Sequence, residues 1–299
     1  QSRARVCLLI SAGIMLLALI LTLCGYGLNM GIDFTGGIIL KYEMGQAFDV
    51  NDITDALAAE NLTSVSVAKT GEAQTEAQIR TPDVGEQSDE MRASFEAALS
   101  EKYPNMRYIS VERVGAVAGR SLIDNAINSV LLAWALMLIY IAIRFDFFSG
   151  VAAVLGILHD VLMMLSLMVL LRSFIQINST FIAAMLTIVG YSINNTIVIF
   201  DRIRENLRKS SLRGVPRSEV VTQSVKESLT RTVNTTLTTL ITTVLLFALG
   251  VDSVKEFSLP LIAGMLSGIY SSNLINGYVW GYLLENQHIF RRQFKGKKA

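Results

Sequence analysis

Apolar residues along this chain gather in six long runs, at residues 6–27, 123–143, 150–171, 180–200, 233–250 and 257–284. A helix needs about 20 mostly apolar residues to cross a bilayer, so each run predicts one spanning helix. Arg3 and Arg5 precede the first run, as in a signal peptide. Its apolar core is too long for that, no A-x-A site follows, and the residue before Cys24 is too large for a lipoprotein box. It reads as a retained helix.

Between the first and second runs the period changes. Residues 37–44 are rich in strand formers. Asp49 can cap a helix to about Glu60, with Ile53, Ala56, Leu57 and Glu60 at helical spacing. Residues 65–68 alternate like a strand, and residues 77–81 form another, closed by Pro82. Ser88 can cap a helix to Lys102 that carries Met91, Phe95, Ala98 and Leu99 on one face. Pro104 ends it, and residues 108–114 alternate again. The order β-α-β-β-α-β is the ferredoxin-like motif. The pattern therefore predicts an α-helical integral membrane protein of six spans, with an α+β domain inserted between spans one and two. Its units are a first span (6–27), the domain (28–122), a five-helix bundle (123–284) with a loop at 201–232, and a basic tail (285–299).

Composition agrees. Of 299 residues 52% are hydrophobic and only 17% charged, against roughly 25% charged in soluble domains. A formal net charge of +1 argues against a broad nucleic-acid-binding face. That total hides a split. Residues 201–232 hold eight Lys and Arg, and the tail holds five. The rule that positive loops stay inside makes both regions and both termini cytoplasmic. Residues 28–122, with 15 acidic and 8 basic side chains, then lie outside. Cys7 and Cys24 share one apolar run, so there is no disulfide framework. With two histidines in the chain, and none in the insert, no metal site, cofactor loop or catalytic constellation is expected. The insert reads as a binding or mechanical module, and the chain as no enzyme.

Ionisable residues inside a membrane are expensive and mark function by default. The third span carries His159-Asp160 near its centre. Neighbours in a helix point about 100° apart, so the two are expected to find partners elsewhere. Asp160 either fixes packing or carries protons. The fourth span holds Ser192, Asn194, Asn195 and Thr196, polar but not titratable. The fifth holds Thr235, Thr236, Thr238, Thr239, Thr242 and Thr243, which either line a water path or bond back to their own carbonyls. Arg231 either anchors the inner face or reaches Asp160. Gly264 and Gly268, then Gly277 and Gly281, have the G-x-x-x-G spacing of close helix contact. The interruption Tyr270-Ser271-Ser272-Asn273 between them suggests a polar patch facing the bundle.

Three segments together are more specific. They are Gly31-Ile32-Asp33-Phe34-Thr35-Gly36-Gly37, Gly190-Tyr191-Ser192-Ile193-Asn194-Asn195-Thr196 running on to Asp201-Arg202-Ile203-Arg204-Glu205-Asn206, and Ser228-Leu229-Thr230-Arg231-Thr232. With the one-plus-five arrangement of spans, they resemble the SecD/SecF protein-export family of the resistance-nodulation-division (RND) superfamily, along the whole chain. The resemblance implies half of an RND-type bundle in the bacterial inner membrane, completed by SecD, either separate or fused. It also implies the SecYEG channel, the ATPase SecA, YidC and unfolded preprotein as partners, and export driven by the proton-motive force. Gln1 ahead of Arg3 is compatible with a chain cut from such a fusion. His159-Asp160 and Arg231 match the family pattern. The family's fourth span usually has Asn-Asp, with the Asp assigned to proton relay, where this chain has Asn194-Asn195. A non-driving scaffold is therefore the alternative reading, and an RND-type exporter of small molecules a third. The glycines of the Asp33–Gly37 turn allow positive φ, and Asp33 and Thr35 can cap it. Such a turn either couples the first span rigidly to the domain or merely anchors it. Arg202, Arg204 and Glu205 either form an ion-pair network closing the bundle or only mark its inner face.

Overall fold

The computed structural model describes residues 2–59, 65–70, 75–82, 88–173, 175–209 and 214–285. The basic tail, Arg213 and Glu60 lie outside the described residues. Six helices are long and apolar enough to cross a membrane: Val6–Leu23, Gly119–Arg144, Phe147–Leu170, Ser179–Arg208, Arg217–Leu249 and Val254–Glu285. Lipid offers no partner to backbone polar groups, so a spanning segment must satisfy its own, as a helix does.

The chain starts with α1 (Ser2–Leu23), followed by a single helical turn, α2 (Ile32–Thr35). The inserted domain comprises β1 (Gly37–Glu43), α3 (Val50–Ala59), β2 (Ser66–Thr70), β3 (Glu76–Thr81), α4 (Ser88–Ser100) and β4 (Arg107–Val114). Its sheet is wholly antiparallel in the order β2-β3-β1-β4, the ferredoxin-like arrangement. Asp49 begins α3 by accepting from the Asn51 amide at 3.0 Å. Alternate residues of β1 (Ile38, Leu40 and Tyr42) point into a core that Ile53 and Leu57 of α3 and Phe95 and Leu99 of α4 close from the other side. Each such side chain contributes about 1.5–3 kcal/mol on burial. At the rim, Asp52 accepts from Lys102 at 2.6 Å and from Tyr103 at 2.5 Å, and the Lys102 bond, then the Tyr103 bond, hold its carboxyl below the usual range.

The bundle follows as α5 (Ala116–Arg144), α6 (Phe147–Leu170), α7 (Ser179–Arg208), α8 (Arg217–Leu249) and α9 (Asp252–Ser271), then a π-helical turn (Ser272–Asn276) and α10 (Gly277–Glu285). The last apolar run is thus not one regular helix. A π turn breaks it at the polar patch, a feature that often marks functional sites. Asp146 caps α6 through a reciprocal pair of bonds with Ser149, and Asn178 caps α7.

Helices in lipid gain little from apolar contact and pack instead through small residues and hydrogen bonds. A Cβ on Gly264 would sit 2.5 Å from Ile188 Cγ1, and one on Gly281 2.9 Å from Val221 Cγ2. At Gly277 the nearest atoms would be at an ordinary 3.5 Å, so that glycine is not required for packing. Gly156, outside both glycine pairs, makes the tightest approach, against the side chain of Asn276.

Candidate functional site

Asp160 lies at the centre of α6 and is 1% exposed. Its Oδ2 accepts from Ser192 Oγ of α7 at 2.5 Å and Ser271 Oγ of α9 at 2.9 Å, and its Oδ1 accepts from Ser267 Oγ at 2.8 Å. Gly268, on the same face, lies 3.6 Å from Asp160 Oδ2 and Ser192 Cβ measured to an added Cβ. Its missing side chain admits the carboxylate between the helices. Three hydroxyl donors from two neighbouring helices replace the water that a carboxylate would otherwise need.

His159 Nδ1 is 3.1 Å from Asp160 Oδ1. This corrects the expectation that adjacent residues would not meet. The backbone bonds diverge as predicted, but an imidazole is long enough to swing its Nδ1 over the following carboxylate. Arg231 is a second correction. It is exposed on α8 and is not among the bonding partners of Asp160.

The asparagines of α7 separate. Asn194 is exposed, whereas Asn195 is buried and donates from Nδ2 to Thr236 Oγ1 at 3.2 Å. Thr236 spends its own hydrogen on Thr232 O at 2.9 Å. Thr232, Thr235, Thr239, Thr242 and Thr243 likewise turn back onto backbone carbonyls of α8. The threonine face therefore satisfies itself. Thr232 also donates to Asn273 Oδ1 of the π turn at 3.0 Å, and Asn276 Nδ2 donates to Thr196 Oγ1 at 2.8 Å.

The Asp33–Gly37 segment is more than a turn. Gly36 has φ 79°, which favours glycine, and it releases α2 into β1. Thr35 Oγ1 donates to Gly31 O at 3.2 Å, a local cap as expected. Asp33 does otherwise. Its Oδ2 accepts from Ser179 N at 2.9 Å and Ser179 Oγ at 2.5 Å, at the start of α7. A carboxylate there meets unpaired amides and the positive end of the helix dipole. Phe34 is buried in the bundle's apolar core. Gly31 N donates to Ile177 O, and Ile177 N to Asn29 O, each at 2.7 Å. The segment thus locks the domain to the α6–α7 connection and to α5, where Gly119 packs on the Phe34 carbonyl. The coupling to α1 that the sequence suggested runs only along the chain.

A second tie is Arg80 of β3, 2.7 Å from Glu256 Oε1 of α9, with side chains 13% and 14% exposed. Glu256 Oε2 also accepts from Asn178 Nδ2. A charge-assisted bond of this burial contributes about 1.5–3 kcal/mol. Arg80→Ala is expected to broaden the distance distribution between spin labels on the domain and on the bundle. An unchanged distribution would leave the pair no role in docking.

At the other end of the bundle, Arg202 bonds Glu205 at 2.6 Å and Glu227 at 2.5 Å. Buried Asn206 donates to Ser224 Oγ and to Glu227 Oε2, both at 2.9 Å. Arg204 donates to Arg144 O at 3.0 Å, and Asp201 lies 3.5 Å from Arg144. This network joins α7 to α8 and to the end of α5. Its ion pairs are largely exposed and worth little singly.

Ser267 and Ser271 escaped the sequence reading as partners of Asp160. Their four-residue spacing, which places both on one helix face, was the available signal. Among the described residues no cluster of three or more His, Cys, Asp and Glu could hold a metal ion.

The SecD/SecF C-terminal family of protein export membrane proteins matches residues 94–286, and the SecD/SecF GG motif matches residues 23–47. The protein translocase subunit SecF of Acidaminococcus fermentans is 38% identical over 283 residues, covering 93% of this chain and 94% of the relative. That of Rickettsia bellii is 33% identical over 255 residues, covering 84% and 82%. The crystal structure of SecDF from Thermus thermophilus, a translocon-associated membrane protein, superposes with a TM-score of 0.75 at 32% identity. That match covers 93% of this chain but 37% of the other, so the chain spans just over a third of the solved protein.

Proposed function

Since the chain belongs to the SecD/SecF family of protein export membrane proteins, we propose that it is an accessory subunit of the Sec preprotein translocase that completes export with a SecD partner. SecD supplies the other half of the RND-type bundle, fused or separate, and the pair works beside SecYEG, SecA and YidC in the inner membrane. Termini and the 201–232 loop face the cytoplasm. The acidic domain faces outward, where it binds unfolded preprotein as a mechanical module without enzymatic chemistry. The proton-motive force drives it through Asp160.

The observation that supports this reading most is the link between a buried carboxylate and the domain. Ser192 holds Asp160 from α7, and the start of the same helix is held by Asp33, two residues before the domain's connecting Gly36. A change of charge at Asp160 thus acts on a helix whose end carries the domain. Co-purification of the detergent-solubilised chain is expected to recover SecD and SecYEG, identified by mass spectrometry. Recovery of neither overturns the assignment. The second reading, a scaffold without drive, draws on Asn195, whose amide is satisfied by Thr236 and cannot titrate.

A further inference from the structure

We propose that Tyr270 carries the protonation state of the His159–Asp160 pair to α1, where Ser11 receives it. The proposal rests on the proton-linked reading of Asp160 and extends it to the span that runs into the domain.

The observation is a chain of hydrogen bonds leaving the buried pair on the side away from Ser192. His159 Nε2 lies 3.4 Å from Tyr270 OH, with the two rings edge to face at 89°. Tyr270 OH lies 2.8 Å from Ser11 Oγ, and Ser11 Oγ donates to Cys7 O at 2.9 Å. Ser11 is 2% exposed. Thr22, by contrast, turns back to Ala18 O within α1. Ser11 is therefore where the otherwise apolar first span is hydrogen-bonded across to the bundle.

Counting hydrogens fixes how this chain responds. A tyrosine and a serine hydroxyl have one hydrogen each, and a neutral imidazole donates from one nitrogen and accepts at the other. When the pair holds a proton, Nδ1 and Oδ1 share it, and His159 Nε2–H donates to Tyr270. Tyr270 then donates to Ser11, and Ser11 to Cys7 O. When the pair loses that proton, Nδ1–H donates to the Asp160 carboxylate and Nε2 becomes an acceptor. Tyr270 turns its hydrogen to His159, Ser11 turns its own to Tyr270, and Cys7 O loses its hydroxyl partner. Every donor is satisfied in each state, and the two states differ in the direction of every bond. The proton belongs to the pair rather than to either residue. None leaves by this route, because a peptide carbonyl ends it. The chain is a reporter of charge, not an exit.

The surroundings leave the pair in control. The titratable groups facing it are Tyr270 itself and, through Ser11, Cys7 of α1. From α7 and α9 it meets the hydroxyls of Ser192, Ser267 and Ser271, none charged. Hydroxyl reversal on α1 alters the helix that leads, through residues 24–31, into α2 and the domain.

Infrared difference spectra of the whole chain in lipid bilayers, recorded across pH, test this. The protonated Asp160 carboxyl is identified by the band absent from Asp160→Asn. Ser11→Ala strands the Tyr270 hydrogen in the protonated state alone, so the pH profile of that band should move down by about 0.4–1 unit, the equivalent of one net hydrogen bond. In a Tyr270→Phe background the same Ser11→Ala change should move it no further, since the connection is already cut. A band that titrates but ignores Ser11→Ala, or equal shifts in both backgrounds, overturns the role of Tyr270 while leaving Asp160 proton-linked. A chain with no Asp160 band at any pH overturns both.

Discussion

Asp160→Asn is expected to reduce preprotein release from membrane vesicles to the level seen without a proton gradient. The side chain keeps its shape, and the hydroxyls of Ser192, Ser267 and Ser271 can rotate to meet an amide, so the bundle should still fold. What disappears is the buried titratable group between α6, α7 and α9. The loss should be about 10²-fold or more in gradient-driven rate, the lower range for removing a positioned proton-transfer group. The measurement compares release with and without an imposed gradient, in vesicles holding the chain with SecD and SecYEG. Release that stays gradient-dependent would remove Asp160 as carrier. Asn195→Asp belongs in the same assay. A carboxylate there faces Thr236 Oγ1, whose hydrogen is committed to Thr232 O. Gradient dependence that appears only in that variant would make the native chain a scaffold.

The second large effect is expected at Gly119, far from any ionisable group. A Cβ there would stand 2.7 Å from the Phe34 carbonyl oxygen and 3.0 Å from its carbon. Both are backbone atoms of α2, which is pinned by Asp33 to α7, so they cannot yield as a flexible side chain would. Gly119→Ala should cost about 1–3 kcal/mol, a fall of about 2–10 °C in the midpoint of thermal unfolding, and should weaken export by freeing the domain from α5. Gly190→Ala is the control. Nothing lies within 4 Å of a Cβ at Gly190, and alanine favours the helix by about 1 kcal/mol, so stability should hold or rise. Equal losses in both variants would show that the Phe34–Gly119 contact is not what holds the domain.

Much of this was legible in the order of residues. Hydrophobic length alone placed six helices, because lipid forbids an unpaired backbone. Alternation and turn residues placed a β-α-β-β-α-β domain, and its sheet closes in the order that the motif requires. The single deep carboxylate stood out because charge is otherwise absent from the spans. The glycine pairs were legible as a spacing, but not which glycines matter. Gly264 and Gly281 meet branched side chains, Gly277 meets nothing close, and Gly156 was in no pair.

The sequence by itself determined the elements, their sidedness by charge, and the inventory of groups able to titrate. Each of these depends on local periodicity or on the bilayer as solvent. Only the tertiary structure decided which hydroxyls surround Asp160, that His159 bends back over it, that Arg231 stays away, and that Asp33 caps α7 instead of its own turn. Those outcomes depend on the rotation and axial offset of one helix against another. Hydrogen bonds in a low-dielectric interior select that register across distant parts of the chain, and no window along the sequence contains both partners.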